Sequence, residues 1–371
     1  INMKTPKKKL IIFMPSMDGG GVEKNLIIIS NFLSKHIKHL TLITFDNGFN
    51  KNFSKKIKII NYKKKTDKKF SKYFKYFICL FILFKEILKN KNSSVFSFQA
   101  NIYCLILSKI LQFKVIIRSN SAPQGWSKNY LKKMIFKFFF KFANEIIVNS
   151  RDFKKEIDKE YDINSVVIYN PLNIKEIQKK SKEKIKINFF NKQEDTLKII
   201  NIARFTDQKD HLTLLKAFRK ISKIIKVKLL IMGYGPNKKL INDFILDNGL
   251  KKIIKVIPFQ INPYKYLKKS DLFILTSIYE GLPNVLLEAM VLKKFVISSN
   301  CPTGPSEILQ NGKLGSLFKM KNCNQLEKKI IEYNNSKKVY QKKISKAYIS
   351  LERFSHSKNC NKYLELIKKT I

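Results

Sequence analysis

The 371-residue sequence is poor in acid, in histidine and in cysteine: 27 Asp and Glu stand against 74 Lys and Arg, with 4 His and 5 Cys. Cys79, Cys104, Cys301, Cys323 and Cys360 include no CxxC pair and are odd in number. That argues against a disulfide scaffold or a zinc site and fits a reducing cytosol. His36, His39, His211 and His356 lack metal-ligand spacing. No acidic cluster for Mg²⁺ is visible either, so neither a metal nor a cofactor is expected. Long apolar runs are also missing. The longest, 76–84, is bracketed by Lys75 and Lys85, well short of the roughly 20 residues a membrane-crossing helix needs. The run at 10–14 is too short for a signal peptide and leads straight into a glycine loop.

The length favours two domains. Apolar residues make up 44% of the chain, which allows packed structure and argues against wholesale disorder. A formal net charge of +47 would attract polyanions: nucleic acid, anionic lipid or phosphorylated substrates. Lys, Asn, Ile and Phe are abundant together, however, as codon bias produces, so the total charge assigns no partner by itself. A basic nucleic-acid- or membrane-binding protein without catalysis is the alternative that charge alone supports. No recognised nucleic-acid module accompanies it, and nucleic acid is not an expected partner.

Short apolar runs bounded by polar or turn residues fall at 10–14, 40–45, 57–62, 95–98, 115–118, 146–149 and 166–169. Helical stretches separate them. Near-continuous apolar strands alternating with helices indicate a parallel sheet covered on both faces. Residues 173–195 are rich in Lys, Glu, Asn and Gln with a weak apolar pattern, as expected of a domain connection. The rhythm then restarts, with strands at 198–203, 228–232, 253–258, 271–276 and 295–298 and helical patterns at 210–225 and 237–248. The predicted fold class is α/β: two Rossmann-like, doubly wound parallel-sheet domains, 1–172 and 196–350, facing across a cleft. A helical segment, 351–371, is able to pack back on the N-terminal domain. Ligands of such sheets sit beyond the carboxyl ends of the strands.

The most informative motif is Thr276-Ser-Ile-Tyr-Glu280-Gly-Leu-Pro-Asn-Val-Leu-Leu-Glu288-Ala-Met290. A strand ends near Thr276. Gly281 permits an unusual backbone angle, and Pro283 suits the first position of a helix. The helix 284–292 would then offer its N–H groups and positive dipole end to a diphosphate. Glu280 precedes that helix. Glu288 lies one turn inside it among Leu286, Leu287, Ala289 and Met290, where a carboxylate is costly without a partner. A ribose diol would supply two donors. Upstream, Arg204 follows a strand and Lys209 precedes a helix with Asp210 as its cap. Two cations so placed would stabilise a leaving nucleoside diphosphate.

The second half resembles the donor domain of retaining glycosyltransferases of the B fold (GT-B), family four, also called glycosyl transferases group 1. That family carries two glutamates separated by seven residues, matched by Glu280 and Glu288. The resemblance implies that Glu288 holds the donor ribose, and that Glu280 with the backbone of Gly281, Leu282, Pro283 and Asn284 meets the donor sugar. It also implies that Arg204 and Lys209 clamp the diphosphate. A glycine turn at Gly233 and a base pocket at 257–260, around Phe259, are further expectations. The segment Cys301-Pro-Thr-Gly304-Pro-Ser-Glu307 resembles members that build cell-surface polysaccharide and lipid-linked oligosaccharide. The implied reaction transfers a hexose or N-acetylhexosamine from a UDP-type nucleotide sugar, with retention, to a glycan or polyprenyl-diphosphate-linked saccharide. A sugar-nucleotide epimerase of the same fold is the alternative chemistry.

In the first half, Asp18-Gly19-Gly20-Gly21-Val-Glu23 follows a strand and opens a helix. It is not GxGxxG, so no dinucleotide site is expected. It resembles the family's glycine loop. Asn101, Arg118 and Asn120 sit at strand ends and are candidates for acceptor or phosphate contacts. Many members have an N-terminal histidine near the acceptor, but none occurs here between His39 and His211. Two stretches, 69–89 and 128–141, interleave Lys with aromatics, as helices at anionic membrane interfaces do. The expected location is cytoplasmic, peripheral on the inner face of the cell membrane.

Overall fold

The computed structural model describes residues 8–17, 19–62, 70–120, 129–185, 189–190 and 195–371. Asp18, Lys69 and Lys128 of the motifs above lie outside the described residues, as do 186–188 and 191–194 of the expected connection. The chain divides into two compact units. Unit 1 is Ile1–Pro171 with His356–Ile371, and unit 2 is Leu172–Ser355.

Unit 1 holds strands β1 (Lys9–Phe13), β2 (Leu40–Ile43), β3 (Lys58–Ile60), β4 (Ser93–Ser97), β5 (Val115–Arg118), β6 (Glu145–Val148) and β7 (Val166–Val167). They form one parallel sheet in the order β3-β2-β1-β4-β5-β6-β7. Its two faces are separate cores. Leu10 and Ile12 of β1 enter one, Ile11 and Phe13 the other. Both faces of a parallel strand are apolar because both are covered. The sequence therefore shows continuous runs instead of alternation.

Unit 2 repeats the plan with β8 (Leu197–Ile202), β9 (Val227–Gly233), β10 (Ile254–Pro258), β11 (Leu272–Leu275), β12 (Phe295–Ser299) and β13 (Ser316–Phe318). The order is β10-β9-β8-β11-β12-β13, all parallel. In each unit the winding reverses once, between β1 and β4 and between β8 and β11. In sheets of this kind, ligands bind beyond the carboxyl ends of the strands at such a reversal.

The unit boundaries differ from the expected 172/196 and 350/351. Residues 173–195, expected as a connection, open with helix Ile174–Lys180, which packs within unit 2 against Tyr264–Lys269 and Asn284–Val291. Asn173 caps it by accepting the Glu176 N–H at 3.2 Å. A helix this short buries only Ile177, too little for an apolar period. Strand β13 is three residues long and likewise lacks a pattern. The last helix, His356–Thr370, belongs to unit 1, where Tyr363, Leu364 and Ile367 complete the core beside helix Gly21–Leu33.

Candidate functional site

In unit 2 the loops after β8 and β11 flank the reversal point and are tied to each other. Ile278 N–H donates to Gln208 O at 2.8 Å, Gln208 Nε2 to Tyr279 O at 2.9 Å, and Thr276 Oγ1 to Lys209 O at 2.8 Å. This places Lys209 Nζ 2.5 Å from Glu280 Oε1, both side chains largely shielded. An ammonium carries three N–H donors, so Lys209 can hold Glu280 with one and face an anion with another. Arg204 follows β8, is exposed, and its side chain makes no hydrogen bond with another described residue.

A second pair of hydrogen-bonded loops braces Glu280 from behind. Glu280 N–H donates to Pro302 O at 2.7 Å, and Thr303 Oγ1 lies 3.3 Å from Glu280 O and 3.2 Å from Gly281 O. Gly304 has φ +92°, and a Cβ there would collide with Gly281 O. The 301–305 segment thus fixes the peptide planes of Glu280 and Gly281, and only glycine tolerates that approach. Pro283 sits at the cap position, one residue earlier than expected, and the helix begins at Asn284.

Glu288 is 3% exposed, inside helix Asn284–Val291, and accepts from Tyr264 Oη at 3.3 Å. Burial, then the charges of Glu288 and Glu176, hold the Tyr264 phenol well above its usual range. Tyr264 therefore remains a proton donor to Glu288 at every working pH. Sequence reasoning missed this tyrosine; Asn262-Pro263 just before it was the available signal for a helix start.

Gly233 ends β9, and Phe259 follows the neighbouring strand β10. A Cβ on Gly233 would collide with Ala203 O, so its role is to let β9 close on the Arg204 loop. Phe259 is half-buried and meets Tyr234 edge-on at 6.0 Å. His211, also not foreseen, is buried edge-on to Phe205 at 5.2 Å. Burial first, and Lys209 second, push its pKa down to about 4, which keeps the imidazole neutral.

The candidates of unit 1 are arranged otherwise. Arg118 is 1% exposed. Its Nε donates to Tyr363 Oη at 2.9 Å and its Nη2 to Asn170 Oδ1 at 2.6 Å, with Phe98 stacked 5.4 Å away. The guanidinium thereby fastens the last helix to the sheet, while its Nη1 has no hydrogen-bond partner among the described residues. Asn101 accepts from Ser97 Oγ and donates to Arg118 O at 3.1 Å, while Asn120 donates to Phe98 O at 2.8 Å. Gly19 has φ +84°, and the Gly20 N–H donates to Glu23 Oε2 at 2.9 Å. Glu23 therefore already occupies part of the positive helix start that precedes Gly21.

Residues 182–350 match the family model described as glycosyl transferases group 1. The matched residues lie within unit 2. The uncharacterized glycosyltransferase MJ1059 of Methanocaldococcus jannaschii is 33% identical over 209 residues, spanning 55% of this chain and 52% of that protein. The chain thus matches about half the length of that relative. N-acetylgalactosamine-N,N'-diacetylbacillosaminyl-diphospho-undecaprenol 4-alpha-N-acetylgalactosaminyltransferase of Campylobacter jejuni is 24% identical across 96% of this chain and 99% of its own. Among solved structures, HepE of Anabaena in complex with UDP and glucose superposes with a TM-score of 0.78 at 17% identity, covering 98% of this chain and 100% of that one. A glycosyltransferase from Rickettsia africae gives 0.78 at 20% identity, covering 99% of each. The whole chain therefore has the GT-B fold. In unit 2, Arg204, Lys209, Glu280 and Glu288 come from the two loops, and the helix, that border the β8/β11 reversal.

Proposed function

We propose that the chain is a retaining glycosyltransferase that moves a hexose or N-acetylhexosamine from a UDP-type nucleotide sugar to a glycan or polyprenyl-diphosphate-linked saccharide in surface-polysaccharide assembly. The observation that carries this reading is the Lys209–Glu280 pair held beside the start of helix Asn284–Val291, with Glu288 buried one turn further on. Each group has a task. The Glu288 carboxylate takes the ribose hydroxyls, oriented by the Tyr264 phenol. Arg204, Lys209 and the helix start take the diphosphate, whose charge grows as the sugar departs. Glu280, fixed by Lys209 and by the 301–305 loop, takes hydroxyls of the donor sugar.

In the proposed reaction, the bond from the anomeric carbon to the diphosphate oxygen breaks and a bond to the acceptor oxygen forms on the same face. The acceptor proton passes to the departing phosphate oxygen. No side chain then has to act as nucleophile, which suits an N-terminal unit without the expected histidine. The acceptor class is supported by the Campylobacter relative, whose name specifies a diphospho-undecaprenol substrate. Such an acceptor is membrane-borne, and work at the inner face of the cell membrane is part of this reading.

The test mixes purified protein with labelled UDP-sugars and a membrane lipid extract. Label should move from one donor to lipid or glycan with its anomeric configuration kept. Release of free UDP and a 2-epimer without any acceptor would overturn transfer in favour of epimerisation. Glu288→Ala should weaken nucleotide binding, whereas Glu280→Ala should cut turnover more than binding.

A further inference from the structure

The exposed large apolar side chains of unit 1 are concentrated on three neighbouring helices, Lys72–Lys89, Asn101–Leu111 and Tyr130–Phe140. The inner faces of these helices carry Cys79, Leu83, Cys104, Leu105 and Phe140 into the core. The outer faces do not turn polar. Tyr73 is 75% exposed, Phe77 70%, Phe81 51%, Ile110 68%, Leu131 67% and Phe138 61%. The middle helix packs against both others, so the three outer faces are continuous. Tyr76 meets Tyr103 at 6.1 Å, and Lys109 lies 5.0 Å over Phe142, bridging adjacent helices. A soluble surface rarely leaves so many large apolar groups together.

The charge on these helices has one sign. Glu86 is their only acid, and it is buried on Lys9 and Lys89. Lys72, Lys85, Lys109 and Lys132 are exposed and have no carboxylate partner among the described residues. The Lys85 ammonium lies 4.3 Å over the Phe81 ring, so charge and apolar surface share the same patch. Lys133 is turned to Glu160, and Lys137 and Lys141 lean toward Asp162, behind the face. A second copy would bring lysine against lysine. A bilayer with anionic headgroups meets both demands, since rings enter the acyl boundary while ammonium groups stay at phosphate level. No helix of the described residues is long and apolar enough to cross a membrane.

We infer that this three-helix face of unit 1 is a docking surface for an anionic lipid bilayer, with helix Asn101–Leu111 at its centre. It rests on the proposed function only in that a membrane-borne acceptor gives docking a purpose. The helix at the centre carries none of the Lys–aromatic interleaving that marked the other two stretches, and only its neighbours' packing reveals it.

The experiment is flotation of the full chain with phosphatidylcholine vesicles, with and without about 30 mol% phosphatidylglycerol, at low and at about 0.5 M salt. Binding to the anionic vesicles at low salt is expected, weakened by salt and absent on neutral ones. Phe77→Ser, Ile110→Ser, Leu131→Ser and Phe138→Ser combined should lower partitioning about tenfold or more. All four side chains are exposed, and unchanged circular dichroism with unchanged UDP binding would show the fold intact. Equal flotation of the combined variant overturns the proposal. So does a wild-type dimer in sedimentation that the variant abolishes, if the wild type does not float. Loss of UDP binding in the wild type would sink the proposed function and leave this surface standing.

Discussion

The two units have the same winding and the same kind of loop at the reversal point, yet they spend their strand-end polar groups differently. In unit 2, Lys209 and Glu280 come from loops after two different strands and meet each other, largely shielded. Arg204 beside them stays exposed. In unit 1, the residues at equivalent places bond mainly to the fold, with Arg118 Nη1 and Asn120 Oδ1 left without partners among the described residues. Arg118 turns inward to Tyr363 and Asn170, Asn101 and Asn120 satisfy strand-end carbonyls, and Glu23 takes an amide of the glycine loop. A strand-end position gives a residue the chance to meet a ligand. What decides the outcome is whether the domain has already supplied a partner.

The sharpest way to break this contrast is at Lys209. Lys209→Ala should lower turnover about a hundredfold to a thousandfold, as expected for a group that stabilises a departing anion and positions a carboxylate. Steady-state kinetics would show it, and a variant within tenfold of wild type would make the pair structural, like those of unit 1. Acid should then separate the units. The unfolded chain protonates histidine near 6.5, whereas His211 in unit 2 resists until about 4. The unfolded state binds that proton first, so this contribution to stability is full above 6.5 and is lost as pH falls toward 4. The loss amounts to about 3 kcal/mol. Thermal melts from pH 7 to 4 should show it, and His211→Gln should flatten the slope.

Tyr363→Phe addresses unit 1. It leaves the Arg118 Nε–H buried without its acceptor, which should cost about 1–3 kcal/mol in a denaturant titration. UDP affinity should not move; a parallel loss of UDP binding would give Arg118 a ligand role after all. The smallest expected effect is Tyr264→Phe, which removes one donor from Glu288. Nucleotide affinity should fall about fivefold by calorimetry, equivalent to about 1 kcal/mol. Since the phenol stays protonated, the effect should not vary between pH 6 and pH 9.

The parallel sheets were readable because buried strands are runs of Leu, Ile, Val and Phe between turn residues; 115–118 is placed without error. Short elements were not, since Ser316–Phe318 and Ile174–Lys180 bury too few side chains to show a period. For the site, spacing put Glu280 before a helix and Glu288 inside it. It could not reveal that Lys209 lies on Glu280, or that Tyr264 lies on Glu288, because both contacts join segments distant in sequence. The direction of the Arg118 side chain was hidden for a related reason. In Val115-Ile-Ile-Arg118 both faces are apolar, so alternation does not tell which way the arginine points. It shares a face with Ile116, whose side chain lies in the core completed by Tyr363.

The helix His356–Thr370 makes unit 2 an insertion within unit 1. Tyr363, Leu364 and Ile367 reach the first unit's core only after every residue of the second has been made. During synthesis, unit 2 can therefore close its core while unit 1 still waits with Arg118 lacking the Tyr363 hydroxyl and part of its apolar surface open. Ribosome-stalled chains ending near 355 should yield a protease-resistant second unit attached to a susceptible first one, an order of maturation opposite to the order of the gene.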